Sequence, residues 1–333
     1  MQILAIETSC DETSAAMLRN GQVLSNIIAS QEEHIVYGGV VPELASRAHV
    51  AKIVSVVDAA LQRGSVDKHD IELVAATHGP GLVGSLLVGL TFAKGLALSR
   101  NLPFYGINHL EGHLFSTLIE YPHIQMPFLC LLVSGGHTIL AVVRDVGDYE
   151  IIGQTIDDAA GEAYDKVAKI LGLPYPGGPA VEKLARQGDP GYVRFPVANL
   201  KSASLDFSFS GLKTAVLYHY KNLSEDAQEK HRADIAAAFQ QAVIAALKKN
   251  IEVALEQTGV QTLTMAGGVA QNKTLAAALQ QLAAAKGCDF YSPKPQYCAD
   301  NAAMIGYAAH LFATKKRPFS NLSLSAVPNL PLI

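Results

Sequence analysis

His109 and His113 stand four residues apart in Asn108-His109-Leu110-Glu111-Gly112-His113. Positions i and i+4 share a helix face, so both imidazoles can turn toward one ion. Asp300, in the distant turn Cys298-Ala299-Asp300-Asn301, adds a carboxylate. A mixed N/O donor set of this kind suits a divalent transition metal better than magnesium or calcium. Taken alone, the pair also fits an ordinary helix face. Three glycine-rich runs accompany it. Ser134-Gly135-Gly136-His137 lies between two apolar strands, where successive amides can form an anion-binding nest or a plain hairpin. Gly267-Gly268-Val269-Ala270-Gln271-Asn272 follows a strand and opens a helix, a context in which amides face an anion. Tyr175-Pro176-Gly177-Gly178-Pro179 follows a helix bearing Asp157, Asp158, Glu162 and Asp165. Helix capping accounts for Asp157 but does not require Asp165. Asp11 and Glu12 occupy another turn, as candidates for metal-water or substrate contacts or as a polar hairpin tip. Neither a serine or cysteine acyl-enzyme signature nor Gly-x-x-x-x-Gly-Lys is present.

These residues need a scaffold that brings distant turns together. Ile3 to Glu7, a polar turn and a second strand through Leu18 form one strand-turn-strand unit, and 128–143 repeats the arrangement. After the first unit the pattern predicts an extended segment over 23–29, helices over 42–62 and 82–99, and a strand over 73–77. After the second it predicts strands over 150–154, 262–266 and near Phe290. Helices are expected over 158–171, 211–259, 272–286 and 300–314. The repeated order implies an internal duplication, two mixed sheets covered by helices. An N-terminal lobe over 1–120 is expected, with a last helix at about 300–315 able to pack back on it. The C-terminal lobe is expected over 121–333, with a helical insertion at about 188–259, and a ligand is expected between lobes. The basic run Lys315-Lys316-Arg317 reads as a solvated helix end.

Composition narrows the class. With 49% hydrophobic and 17% charged residues in 333, the chain is a compact α/β protein. A net charge of −4, from 26 basic and 30 acidic residues, provides no global field toward nucleic acid or an anionic membrane. Any nucleic-acid role needs a local patch or a partner. Cys10, Cys130, Cys288 and Cys298 lack disulfide or zinc-ribbon spacing, as expected of buried thiols in a reducing compartment. The start has no signal-peptide pattern, and the apolar runs 82–98 and 128–143 are interrupted by glycines and polar residues. A cytoplasmic location without a membrane partner is expected.

Together, the runs Ala5-Ile6-Glu7-Thr8-Ser9-Cys10-Asp11-Glu12-Thr13, 108–113, Val133-Ser134-Gly135-Gly136-His137-Thr138, 156–163, 175–179, Phe207-Ser208-Phe209-Ser210-Gly211-Leu212-Lys213-Thr214 and 267–272 resemble the TsaD (Gcp, YgjD) family in residue type and order. The resemblance covers residue 1 to about 310. It implies the two-lobed actin, sugar-kinase and Hsp70-like (ASKHA) fold of duplicated ribonuclease-H-like domains. It also implies transfer of threonylcarbamoyl from threonylcarbamoyl-adenylate to N6 of adenosine 37 in tRNAs reading ANN codons. By motif, His109, His113 and Asp300 would hold one iron or zinc ion. Leu132, Val133, Ser134, Gly135, Gly136, Asp165, Gly178, Glu182 and Asn272 would contact the adenylate, Glu182 standing where many members carry Asp. Asp11 or Glu12 would order a water or accept the amine proton. The implied partners are the paralogue TsaB, as a heterodimer, and the ATPase TsaE, transiently.

Two other activities set the contrast. A zincin metallopeptidase needs His-Glu-x-x-His, whereas Glu111 lies two residues after His109, about 200° around a helix. A non-catalytic nucleotide-binding scaffold would not need the full donor set.

Overall fold

The computed structural model describes residues 1–31, 34, 39–198, 200 and 204–332. In chain order the elements are β1 (Gln2–Glu7), β2 (Thr13–Arg19), β3 (Gln22–Ala29), α1 (Pro42–Gly64), β4 (Leu73–Gly79), α2 (Val83–Arg100), β5 (Phe104–Asn108) and α3 (His109–Ser116). There follow β6 (Phe128–Val133), β7 (Thr138–Asp145), β8 (Asp148–Gln154), α4 (Ala160–Ile170), α5 (Gly177–Ala185), α6 (Ser210–Lys221), α7 (Glu225–Thr258) and β9 (Thr262–Ala266). The chain closes with α8 (Lys273–Ala285), β10 (Asp289–Tyr291), α9 (Pro295–Cys298) and α10 (Ala302–Thr314). Two compact units result, Met1–His123 with Pro293–Ile333, and Ile124–Ser292. Residues 293–333 therefore belong with the first unit; the sequence reading assigns 121–333 to the second lobe but has the helix at about 300–315 able to pack back on the first. The cause is α10, an almost wholly buried helix that packs on α3, β1 and β2.

In the first unit the strand order is β3-β2-β1-β4-β5. β1 pairs antiparallel with β2 and parallel with β4, and β4 runs parallel to β5. Asn20 and Gly21, at φ 50° and 83°, make the tight turn from β2 to β3, the left-handed pair that a two-residue hairpin requires. Pro42 starts α1, where its missing N–H costs nothing. The helix packs on β2, β3 and α2 and buries Ile53, Val56 and Val57 in the core shared with β1 and β4, each worth about 1.5–3 kcal/mol of apolar burial. α2 runs unbroken through Gly84, Gly89 and Lys94, over the stretch where a helix is expected at 82–99. Gly84 and Gly89 are approach points: a Cβ at Gly89 would strike Thr8 Oγ1, which accepts the Gly89 amide at 3.2 Å. Among the described residues α2 alone is long and apolar enough to cross a membrane, and its face of Leu86, Gly89, Leu90, Ala93 and Ala97 is buried in the unit.

The second unit has the order β8-β7-β6-β9-β10, with β6 antiparallel to β7 and parallel to β9. Both sheets thus share one strand order and one sense of pairing. The helical stretch expected over 211–259 is two helices. Asn222-Leu223-Ser224 interrupts it because Ser224 Oγ accepts the Ala227 amide and starts α7, which Gly259 ends at φ 66°. Residues 199 and 201–203 of the irregular stretch before α6 lie outside the described residues.

After α10 the expected solvated helix end holds for Lys315 and Lys316, which are exposed, but not for Arg317. Arg317 lies 4.2 Å over the Phe312 ring and 3.7 Å from Glu111 Oε1, and its carbonyl accepts the Tyr105 hydroxyl. The chain then runs back along β5 and β4: the Ser320 amide donates to Phe104 O and the Val327 amide to His78 O. It covers a sheet edge whose backbone groups would otherwise be unpaired.

Candidate metal centre and anion-binding turns

In the first unit three parallel strands end together. The registers Ile6↔Ala76 and Thr77↔Ile107 bring Glu7, Thr77 and Asn108 to the carboxyl edge, where open α/β sheets bind ligands. Asn108 Oδ1 accepts the Leu110 amide at 2.9 Å and caps α3, so His109 opens the helix and His113 follows one turn later. Gly112 lies between them because α10 packs there: a Cβ would stand 2.9 Å from Ile305 Cδ1. The start of α10 is fixed by Ser14 Oγ and Asn26 Oδ1, which accept the Ala302 and Ala303 amides, and by the Asn301 cap. Asp300 is thereby held over α3.

The predicted donors converge. His113 Nε2 is 3.1 Å and His109 Nε2 3.4 Å from Asp300 Oδ1, the rings are 4.7 Å apart and perpendicular, and all three ligand atoms lie within 4.8 Å of one another. Both histidines are buried. Burial lowers the His113 ring, leaving it neutral and fit to ligate, while its Nδ1 has no hydrogen-bond partner among the described residues. Burial alone would also lower His109, but the charges of Asp300 and Glu7 outweigh it and raise that ring well above its usual value. Burial would raise Asp300, yet His109 and His113 hold it well below the ordinary carboxylate range. Glu12 is pushed up to about 9, first by burial and then by Asp300 and Asp11. Crowded acids facing two imidazoles fit a divalent cation, which would displace the proton from His109.

Asp11 and Glu12 share a hydrogen bond in the β1–β2 turn. His49 on α1 fixes that turn, with Nε2 2.9 Å from Cys10 O and Nδ1 2.8 Å from Thr13 Oγ1. Neither His49 nor Glu7 is picked out by sequence reasoning. The available signal for Glu7 is an acid closing an otherwise apolar strand. Glu111, one position beyond where a zincin carries its acid, faces Arg317.

In the second unit β6 and β9 likewise end side by side, Leu132 opposite Ala266. Leu132 and Val133 are buried strand residues. Ser134 O accepts the Gly161 amide at 3.2 Å, which joins the 134–137 turn to the start of α4. Gly267, at φ 89°, lies against the Val133 backbone and tolerates no side chain. Gly135, Gly136, Gly178 and Gly268 differ: a Cβ at each would meet no atom within 4 Å. Among the described residues nothing fills the space beside these four.

Asp165 accepts the Gly177 amide at 2.7 Å at the start of α5, and burial raises its carboxyl despite that bond. Glu182 accepts the Lys273 amide at 3.0 Å and Arg186 Nη2 at 2.7 Å, so it joins the start of α8. Asn272 caps α8 through Oδ1, and its Nδ2 donates to Gln240 Oε1 at 2.8 Å, a partner sequence reasoning misses. Glu182 and Asn272 are thus neighbours, while Asp165 stands with Gly177 and Gly178.

Asp157 does not cap α4, whose first amides go to Thr138 Oγ1 and Ser134 O. It accepts the Phe209 amide at 2.8 Å and the Ser210 amide at 3.3 Å, and so caps α6. Asp157→Ala should cost about 1 kcal/mol, read by chemical denaturation. Beside it, burial would raise Asp158, but Lys166 and Lys213 hold it below its usual value. A lowered folded pKa stabilises above about pH 4 and loses that contribution as pH falls through the folded value. Asp158→Asn should therefore narrow the stability difference between neutral and acid pH.

Fold and site define a two-sheet α/β protein with a buried two-histidine, one-carboxylate donor set and open glycine turns at strand ends. Its fold is shared with full-length HypF in a phosphate- and nucleotide-bound form (TM-score 0.63, 16% identity, 95% of this chain and 47% of that one). It is shared also with component A of the Acidaminococcus fermentans (R)-2-hydroxyglutaryl-CoA dehydratase (TM-score 0.55, 17% identity, 95% and 98%). The chain belongs to the TsaD family, described as tRNA N6-adenosine threonylcarbamoyltransferase, whose pattern matches residues 22–307. Relatives of that name from Clostridium beijerinckii and Clostridium perfringens are 50% and 49% identical, each over 99% of this chain and 98% of the relative.

Proposed function

We propose that the chain transfers the threonylcarbamoyl group of threonylcarbamoyl-adenylate to N6 of adenosine 37 in tRNAs reading ANN codons. Family membership supports the activity, and the converged His109, His113 and Asp300 donor set is the observation that carries a metal-assisted version of it. The shared strand order supports two duplicated ribonuclease-H-like units of the ASKHA class.

The adenylate is a mixed anhydride and already activated, so the protein has to orient an amine and stabilise developing charge. The N6 nitrogen attacks the carbamoyl carbon, the C–N bond forms, the C–O bond to phosphate breaks and AMP leaves. Amides of the 134–136 turn and of Gly178 and Gly268 suit the phosphate, with Asp165, Glu182 and Asn272 toward the nucleoside. Asp11 or Glu12 takes the proton the amine loses. One iron or zinc ion held by His109, His113 and Asp300 would supply Lewis-acid stabilisation of oxygen charge. A metallopeptidase reading is disfavoured by Glu111, whose carboxylate is turned to Arg317.

Exposed apolar pairs at Val50 and Val54 on α1, and Val83 and Leu87 on α2, support a heterodimer with TsaB through this helical face. TsaE would join transiently, in the cytoplasm. With a net charge of −4, tRNA binding by the chain alone should be weak and strongly salt-dependent. Turnover should therefore rise when TsaB and TsaE are added to chain, adenylate and unmodified tRNA. Equal turnover with and without them would refute the partner assignment.

A further inference from the structure

We infer that Glu7 is a positioning residue for the metal centre: its carboxylate holds His109 in the one tautomer that presents Nε2 to the ion. The inference rests on the metal-site reading above and extends it beyond the three ligands.

Glu7 closes β1 and is fully buried, with no exposed surface. Both of its oxygens are engaged. Oε1 accepts the Ser9 amide at 2.5 Å; Oε2 accepts the Thr77 hydroxyl and faces His109 Nδ1 at 3.2 Å. A carboxylate surrounded by donors can accept from Nδ1 only if that nitrogen carries its hydrogen. The neutral ring then has its lone pair on Nε2, the atom that faces Asp300 Oδ1. Ser9 Oγ, 3.1 Å from the same Nδ1, is a weaker second acceptor. Histidines that bind metals commonly give their other N–H to a carboxylate, which fixes ring orientation and strengthens the donor.

The alternative for Glu7 is a purely structural tie between the ends of β1 and β4. Thr77 and Ser9 N would satisfy that role without His109. The two roles differ in what Glu7→Gln does. Glutamine keeps the shape but has one acceptor oxygen where Glu7 uses two. With its amide nitrogen toward His109, it donates to Nδ1 and drives the ring hydrogen to Nε2, where the ion must bind. With the amide reversed, it opposes the Ser9 N–H.

The test is Co²⁺ binding to the metal-free chain by chelator competition, with the visible Co²⁺ spectrum as a second readout. Wild type and His109→Ala come first: binding by the former and none by the latter establishes the site itself. Glu7→Gln should then weaken Co²⁺ binding about 10–100-fold and change the spectrum, while thermal unfolding of the metal-free protein stays close to wild type. Ser9→Ala should weaken it less. Wild-type affinity and spectrum in Glu7→Gln, with His109→Ala inactive in binding, would overturn the role of Glu7 and leave the metal site standing. Glu7→Asp, which keeps the charge, should recover part of the affinity if the variant is folded; no recovery in a folded variant would count against the assignment.

Discussion

His109→Ala is expected to lower bound metal from one ion per chain to a trace and to slow threonylcarbamoyl transfer by roughly 10²–10³-fold. The estimate follows from the several kcal/mol that a Lewis acid contributes to charge stabilisation, at 1.36 kcal/mol per tenfold. Losing one of three donors leaves only His113 and Asp300, 3.1 Å apart, of the donor set found among the described residues. The substitution also strips Glu7 of its imidazole donor, a buried carboxylate left with Thr77 and the Ser9 amide. Elemental analysis of both proteins, purified together, reads the first effect, and single-turnover transfer reads the second. Equal metal content in the two would remove His109 from the site.

Gly136→Val should weaken adenylate binding on the order of 10–100-fold while the protein stays folded, because a bulky group would occupy space needed for close backbone approach. In the chain itself nothing lies within 4 Å of a Cβ at Gly136, so the substitution meets no internal obstacle. Gly267→Val is the opposite case. Its φ of 89° and the Val133 backbone against it make any side chain strained, so that variant should lose stability first. Calorimetry with a non-transferable adenylate analogue, next to thermal unfolding, separates the two. Unchanged affinity in folded Gly136→Val would remove the 134–136 turn from the site.

The contrast between these glycines marks how far the sequence could be read. Residue identity and order mark Gly136 and Gly267 alike as turn residues; only the structure distinguishes the one that makes room for its own fold from the one that faces empty space. Strands and helices with clear periodicity, such as β1, α1 and β9, fall where local pattern places them. Contacts over long separations do not. Asp157 caps a helix some fifty residues later, and no local rule pairs it with Phe209 rather than with α4. The basic run after α10 reads as a solvated helix end, which holds for the exposed Lys315 and Lys316, yet Arg317 is drawn onto Phe312 and Glu111. His109 and His113 were legible from spacing. Asp300 was legible only as part of a set, since its place over α3 depends on Ser14, Asn26 and Gly112.

The proposed reaction builds threonylcarbamoyladenosine at a metal held by His109, His113 and Asp300. The direct measurement is mass spectrometry of nucleosides from unmodified tRNA incubated with pre-formed threonylcarbamoyl-adenylate, TsaB, TsaE and either wild type or Asp300→Ala. N6-threonylcarbamoyladenosine is expected with wild type and at least about a hundredfold less with the variant. No modified nucleoside with wild type, or equal amounts with both proteins, would contradict it.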